Sequence, residues 1–375
     1  MQQVALYIHM PFCIKKCAYC DFNSYEKLEI IPRYLSALKR EMENYKRHKL
    51  KVETVYIGGG TPTVLNETQL YLLIQSIYDC FDVMPGAEFT IEANPGTLTK
   101  SKLNTLKRLG VNRLSIGLQA YQDKLLKILG RIHSQKDFND TYNLAREAGF
   151  KNINVDVIFG LPEQSVSDFV STLEKLCVLL PEHISCYSLI VEPGTPFYEL
   201  KKQGNLNLPN ENDERLMYYH AKNYLQEQGY IHYEISNFAI PGKESSHNII
   251  YWQLKDYLGL GAGAHSFMKG IRFNNYYKPE KYIEAIEKHN SALEMQERVS
   301  IKDKQAEFCF LGLRLIKGIS KHDFHTAFGI DIHEVYGEAI EKLKKLGLLD
   351  ENRQYLKLTS HGLDFANDVF IEFLQ

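Results

Sequence analysis

Short apolar runs of strand length alternate with longer stretches in which apolar residues recur every three or four positions, and this alternation persists to about residue 190. The candidate strands are 4–9, 54–58, 88–93, 113–119, 152–159 and 183–190. Between them lie helical faces, such as Pro32 through Leu35, Leu38 and Met42, or Glu67 through Leu70, Leu73, Ile74 and Ile77. Six repeats of this kind predict a parallel βα array with right-handed crossovers, either an incomplete barrel or an open sheet. From about Ser300 the pattern changes. Helical periodicity around 308–315, 319–328 and 335–346 leads to a hairpin signal at Asn352 and a final helix, the outline of a winged helix.

The polar residues fall where such an array would use them. The cysteine segment follows the first strand, Gly58-Gly59-Gly60-Thr61-Pro62 follows the second, Glu92 lies in the third, Gln119 ends the fourth and Asp156 lies in the fifth. In a parallel barrel those carboxyl ends meet on one rim, so five in succession predict a shared pocket. The chain is 375 residues long, 44% hydrophobic and of formal charge −2, which leaves room for about two or three domains. No basic excess points to nucleic acid or an anionic membrane surface, and no segment approaches the roughly 18 apolar residues of a membrane span. The amino-terminal residues lack a signal-peptide pattern, so a cytoplasmic protein with no structural disulfides is expected.

Three of the seven cysteines, Cys13, Cys17 and Cys20, lie within eight residues. A structural zinc site wants four ligands, whereas an iron–sulfur cluster held by three cysteines leaves one iron open to an exogenous ligand. The plainer alternative is a group of reduced thiols. Cys80, Cys177, Cys186 and Cys309 sit among apolar neighbours and read as core. The glycine run lacks the P-loop lysine and the full dinucleotide fingerprint; what it offers is backbone N–H and C=O groups that a ligand can approach.

The Cys-x3-Cys-x2-Cys spacing, taken with the glycine turn, resembles the radical S-adenosylmethionine (SAM) superfamily. The segments Thr-Ile-Glu-Ala-Asn-Pro, Leu-Ser-Ile-Gly-Leu-Gln-Ala, Leu-Gly-Arg-Ile-His and Asn-Val-Asp-Val-Ile-Phe-Gly-Leu-Pro resemble its coproporphyrinogen dehydrogenase-like branch, across essentially the whole chain. The resemblance implies a partial (β/α)6 barrel in 1–230, a connecting region in 231–299 and a smaller, mostly helical, winged-helix-like domain in 300–375. It implies a [4Fe-4S] cluster on Cys13, Cys17 and Cys20, with three low-pKa thiolates, and SAM bound beside it. Gly60 and Thr61 would meet the methionine moiety and Glu92 a ribose hydroxyl; Gln119, Arg131 and Asp156 would complete the shell, with Tyr7 and Tyr19 alongside. A guanidinium suits the SAM carboxylate as a bidentate fork. The competing account of Arg131 and Asp156 is a buried structural ion pair.

Within that branch the oxidative decarboxylase of coproporphyrinogen III carries a further cysteine where this chain has Phe22, and an extension ahead of the cluster segment. Both departures resemble instead the heme chaperones of the HemW type. Ser-Ser-His247-Asn248-Ile-Ile-Tyr251-Trp252, which holds the single tryptophan, resembles their heme-linked motif. A neutral imidazole is a competent axial ligand, and Tyr251, Trp252 and Tyr257 offer aromatic surface for a macrocycle. The bland reading makes His247 a turn-capping residue and Trp252 core. His9 reads as ordering the cluster loop, and the stretch before His265 as packing against SAM. The expected function is to hold heme for delivery to an acceptor protein, with no residue assigned a catalytic role. A reductant for the cluster is implied, and a homodimer is compatible with the pattern. The runner-up is oxygen-independent coproporphyrinogen III oxidation; a third reading is an interaction module with a structural or redox-sensing cluster.

Overall fold

The computed structural model describes residues 2–374. Six strands run parallel in chain order: β1 (Gln3–Met10), β2 (Lys51–Gly59), β3 (Asp82–Ala93), β4 (Arg113–Gln119), β5 (Ile153–Phe159) and β6 (His183–Ser188). Their outward residues, among them Leu6, Ile8, Val55, Ile57, Ile91, Leu114, Ile116 and Val155, are fully buried beneath the crossover helices. Several of those helices begin with side-chain caps directly after a rim loop. Asn66 and Gln69, Ser134 and Asp137, and Ser165 and Asp168 each form a reciprocal capping box, which fixes where the loop ends and the helix starts.

The α/β expectation holds, with one correction. Residues 231–299 do not form a connector, because they extend the sheet at both ends. Strand β8 (Asn237–Ala239) adds antiparallel to β6 and β7 (Ile231–Glu234) antiparallel to β8; β9 (Tyr257–Leu260) adds parallel to β1, followed by the antiparallel β10 (His265–Met268), β11 (Ile271–Asn275) and β12 (Leu293–Arg298). The order β12-β11-β10-β9-β1-β2-β3-β4-β5-β6-β8-β7 has two free edges, so the barrel is incomplete. Strands of three to six residues gave too weak a periodicity to be seen as sheet. β3 also begins at Asp82, earlier than its apolar run, because that end pairs with the start of β2.

The carboxyl-terminal unit has its own core, including Leu313, Phe324, Ile340, Leu343, Leu356 and Phe373. Helices Ile301–Gly312, Lys321–Phe328 and Ile332–Lys345 pack with a small sheet of β13 (Ile319–Ser320), β14 (Leu349–Glu351) and β15 (Tyr355–Leu358), ordered β13-β15-β14. Asn352 turns the β14–β15 hairpin by accepting the N–H groups of Gln354 and Tyr355 at 2.8 Å each. No helix among the described residues is long and apolar enough to cross a membrane.

A buried carboxyl clamps the added strands to the barrel. Glu41, on helix Ile31–Tyr45, accepts from Asn275 Nδ2 (2.6 Å), Tyr282 Oη (2.6 Å) and Gly261 N (2.9 Å). Burial pushes its pKa up to about 7, although those three bonds oppose the shift. A carboxyl with a raised folded pKa favours the fold most below its unfolded value and loses that advantage as pH rises through the folded one. Glu41→Ala is therefore expected to destabilise the chain at pH 5 by about 3 kcal/mol, from three orphaned donors. The penalty should shrink toward pH 8. Equilibrium unfolding of both proteins across that range checks it, and a penalty that grows with pH would show the carboxylate to be the favoured form.

Candidate functional site

The rim is built around the missing side chains of the glycine run. A Cβ on Gly58 would lie 2.8 Å from both Glu92 and Tyr56, one on Gly59 2.5 Å from the His9 ring, and one on Gly60 2.7–2.9 Å from the backbone of Phe12. Gly59 also has a φ of 114°, which L side chains rarely adopt. The run's N–H groups are spent within the protein: Gly59 donates to Glu92 Oε2 (3.0 Å), Gly60 to Met10 O (2.9 Å) and Thr61 to Phe12 O (2.7 Å). The expectation of free N–H groups for a ligand is thereby corrected. They hold the cysteine loop against β2.

That loop is fixed from several directions. Cys13 N donates to Tyr25 O at 3.0 Å and Tyr25 N to Pro11 O at 2.8 Å, closing it at the base. Ala18 N donates to Leu129 O at 2.9 Å, and Phe197 N to Ala18 O at 3.0 Å. His9 bonds Asn23 O through Nε2 (2.8 Å) and Tyr7 Oη through Nδ1 (2.9 Å), the ordering role expected of it.

Cys13, Cys17 and Cys20 line one cavity of about 450 Å³ together with Tyr19, Gly60, Thr61, Glu92, Gln119, Arg131 and Asp156. Among the expected SAM residues, only Tyr7 is absent from that lining; its ring forms the wall of a neighbouring pocket. The three thiols border the cavity, and among the described residues no group of three or more His, Cys, Asp and Glu suits a single ion. Three cysteines fit a cluster, whose irons take one protein ligand each, where a structural zinc wants four ligands. Burial pushes the Cys13 and Cys20 thiols up, with Thr61 opposing at Cys13. Deprotonation there falls to a bound metal.

Arg131 and Asp156 do not form the ion pair that was the competing account. Arg131 donates to Asn94 Oδ1 (2.7 Å), Gly117 O (2.8 Å) and Cys17 Sγ (3.5 Å), none of them a carboxylate. Asp156 accepts from Ser115 Oγ (2.9 Å) and Asn154 Nδ2 (2.8 Å). Glu92 accepts from Tyr56 Oη at 2.8 Å, and burial pushes it up to about 7, helped by the charge of Asp156. Gln119 sits at a register shift of β4 with φ 69°, a strained backbone of the sort found beside ligands. Asn94 was missed from sequence. It bridges Arg131 to Thr61 Oγ1 (2.8 Å), and the two-residue alternation from Glu92 would have found it.

His247 lies deeper, on helix Ser246–Trp252. Its Nδ1 bonds Thr54 Oγ1 and its Nε2 bonds Tyr251 Oη, both at 2.8 Å, while its ring stacks on Tyr56 at 5.1 Å. Burial, and then the charge of Arg113, push its pKa down to about 3, so it is neutral. Trp252 is not core. It lines the pocket beside Tyr7, under the guanidinium of Arg314 at 4.5 Å. The other four cysteines are buried, as expected of core residues.

The profile of the Radical SAM superfamily matches residues 7–176, and that of the HemN C-terminal domain matches 299–365. The chain is similar to the heme chaperone HemW of Bacillus subtilis (strain 168), with 40% identity covering 98% of each chain. It is likewise similar to that of Escherichia coli (strain K12), with 33% identity covering 99% of this chain and 98% of the other. Among solved structures, the Escherichia coli coproporphyrinogen III oxidase HemN, a radical SAM enzyme, superposes with a TM-score of 0.87 over 99% of this chain and 90% of its own, at 23% identity.

Because the carbonyl and amide of Phe12 cannot move aside as a side chain could, Gly60→Ala should cost about 2 kcal/mol and free the loop from β2. Hydrogen exchange is expected to accelerate at the amides of Cys13 and Thr61 more than in the rest of the sheet. Unchanged protection there would show that the close approach is not what holds the loop.

Proposed function

The chain belongs to the HemW family within the radical SAM superfamily, and from that premise we propose that it binds heme and delivers it to an acceptor protein while carrying a [4Fe-4S] cluster and SAM. The observation that carries the cofactor half is the single cavity shared by three thiols and a buried guanidinium without a carboxylate partner. Cys13, Cys17 and Cys20 hold the cluster, which supplies one-electron chemistry to SAM when both are bound. Arg131 takes the SAM carboxylate. Glu92, Gln119 and Asp156 face the remainder of the ligand, and Thr61, Gly60 and Tyr19 close its sides. The heme half rests on the full-length similarity to chaperones of that name and on the aromatic pocket beside Tyr251 and Trp252. The acceptor would be met in the cytoplasm, and a reductant would serve the cluster.

Oxidation of coproporphyrinogen III is the second reading, favoured by the likeness to HemN over nearly the whole chain. Against it stands Phe22, which occupies the position of the oxidase's additional cysteine and lies 63% exposed at the cavity mouth. One anaerobic experiment on the reconstituted protein separates the two. With hemin, a saturable one-to-one Soret spectrum is expected; with coproporphyrinogen III, SAM and a reductant, no protoporphyrinogen should form. Stoichiometric protoporphyrinogen and 5′-deoxyadenosine would overturn the carrier reading. In the same preparation Arg131→Met should weaken SAM binding about tenfold or more, the worth of a hydrogen bond to a charged group, with the cluster spectrum retained. Unaltered SAM affinity would remove Arg131 from the carboxylate role.

A further inference from the structure

The largest fully buried side chain in the molecule is a cation. Arg113 opens β4 and is 2% exposed, and its Nε has no hydrogen-bond partner. Arg33, Arg146, Arg215 and Arg272 form ion pairs, whereas Arg113 forms none among the described residues. The strand register fixes the face it occupies. Thr90 of β3 pairs with Arg113 and Glu92 with Ser115, and the second of these pairs lines the cavity. By the two-residue alternation of a strand, Thr90 and Arg113 share that inner face one layer further down the barrel. Thr90 is 0% exposed, and its Oγ1 is likewise without a partner. Next to them in the sheet is Asn152, whose carbonyl accepts from Leu114 N at 3.1 Å and whose Oδ1 is a third orphan. Three unmatched polar atoms therefore fall in one row, on β3, β4 and the approach to β5.

The surroundings of this cation are already engaged elsewhere. Its charge is felt by Glu92, Tyr56, His183, His247 and Tyr233. Glu92 accepts from Tyr56 Oη (2.8 Å) and Gly59 N (3.0 Å). Both ring nitrogens of His183 are bonded, to Asn154 Oδ1 (2.6 Å) and Tyr233 Oη (2.8 Å), and both of His247 are bonded to Thr54 and Tyr251. A buried donor left unmatched costs its full desolvation, and a buried charge left unmatched costs more. Water would answer the orphaned donors alone; an anion answers the donors and the charge together. The near-total burial of Thr90 and Arg113 restricts it to a small one. Asn152 is only half-buried, which gives the row an edge toward solvent, and its carboxamide can turn to present Nδ2 as a further donor. We propose that the base of the barrel binds one chloride-sized monovalent anion, held by the guanidinium of Arg113 and the hydroxyl of Thr90 with Asn152 at its edge. The site lies one layer below Glu92 and Ser115, requires neither SAM nor cluster, and supplies the counter-charge that the chain itself does not place there.

Two measurements on the full chain test it. Crystals soaked in sodium bromide should show an anomalous-scattering peak in contact with Arg113 and Thr90. In solution, urea unfolding is followed while sodium chloride replaces sodium gluconate at constant ionic strength. The wild-type midpoint should rise and then follow a one-site dependence, the folding constant gaining about tenfold once chloride reaches roughly ten times its Kd. Arg113→Met should abolish the chloride dependence. Thr90→Val keeps the volume and the charge but removes the hydroxyl, so it should weaken the dependence severalfold, and it stays informative if Arg113→Met does not fold. Density at Arg113 without anomalous signal would assign the place to water and overturn the proposal. So would a chloride effect of the same size in wild type and Thr90→Val, which would mark a general salt effect on the surface.

Discussion

The absence of three side chains sets the geometry on which the rim depends. Gly58, Gly59 and Gly60 let the end of β2 lie against Glu92, the His9 ring and the Phe12 backbone at separations no Cβ would permit. Each contact fixes something different. The first seats a buried carboxyl under the cavity, the second locks the histidine that holds Asn23, and the third ties the entry of the cysteine loop to the end of β2. A loop carrying three cysteines has little regular structure of its own and would be mobile if tethered only at its ends. Here its backbone is bonded to Thr61 just after β2, to Leu129 at the end of helix Asp123–Ile128 and to Phe197, so the thiols are displayed from a rigid frame.

The cavity has a neighbour across β1, the pocket lined by Trp252. Tyr7 and His9 of β1 line that pocket, while Tyr7 stacks on Tyr56 and His9 lies against Gly59, both of which line the cavity. A second connection runs beneath: Tyr251 to His247 at 2.8 Å, His247 stacked on Tyr56 at 5.1 Å, Tyr56 to Glu92 at 2.8 Å, and Glu92 to the amide of Gly59 at 3.0 Å. His247 is therefore best understood as a packing and hydrogen-bonding hub within the barrel. Its neutrality follows from burial.

The legible part of the molecule was the part with strong periodicity. Strands β1 to β6 announced themselves because they are largely buried on both faces, and Glu92, Gln119 and Asp156 because each lies in or at the end of one of those strands. Residues 231–299 were read as a connecting region, and the strands within them escaped notice because Tyr-Leu-Gly-Leu and His-Ser-Phe-Met are too short to display a period. Asn94 was overlooked because an amide beside a proline reads as turn chemistry; only its place two residues after Glu92 marks it as inward.

Nor could the sequence show how the interior charges are matched. Arg131 has no carboxylate partner, and Arg113, 2% exposed at the start of β4, leaves its Nε without any partner among the described residues. Glu92 and Asp156 are occupied by neutral donors. Placing Arg131 against Asp156 would have given a satisfied and inert interior; instead cation and anion both line the cavity, each held by uncharged groups. Buried charge left without a counter-charge lowers the stability of the fold and raises its affinity for whatever brings the missing sign. SAM carries a carboxylate, an ammonium and a sulfonium, so a cavity that keeps its own charges apart is suited to binding it.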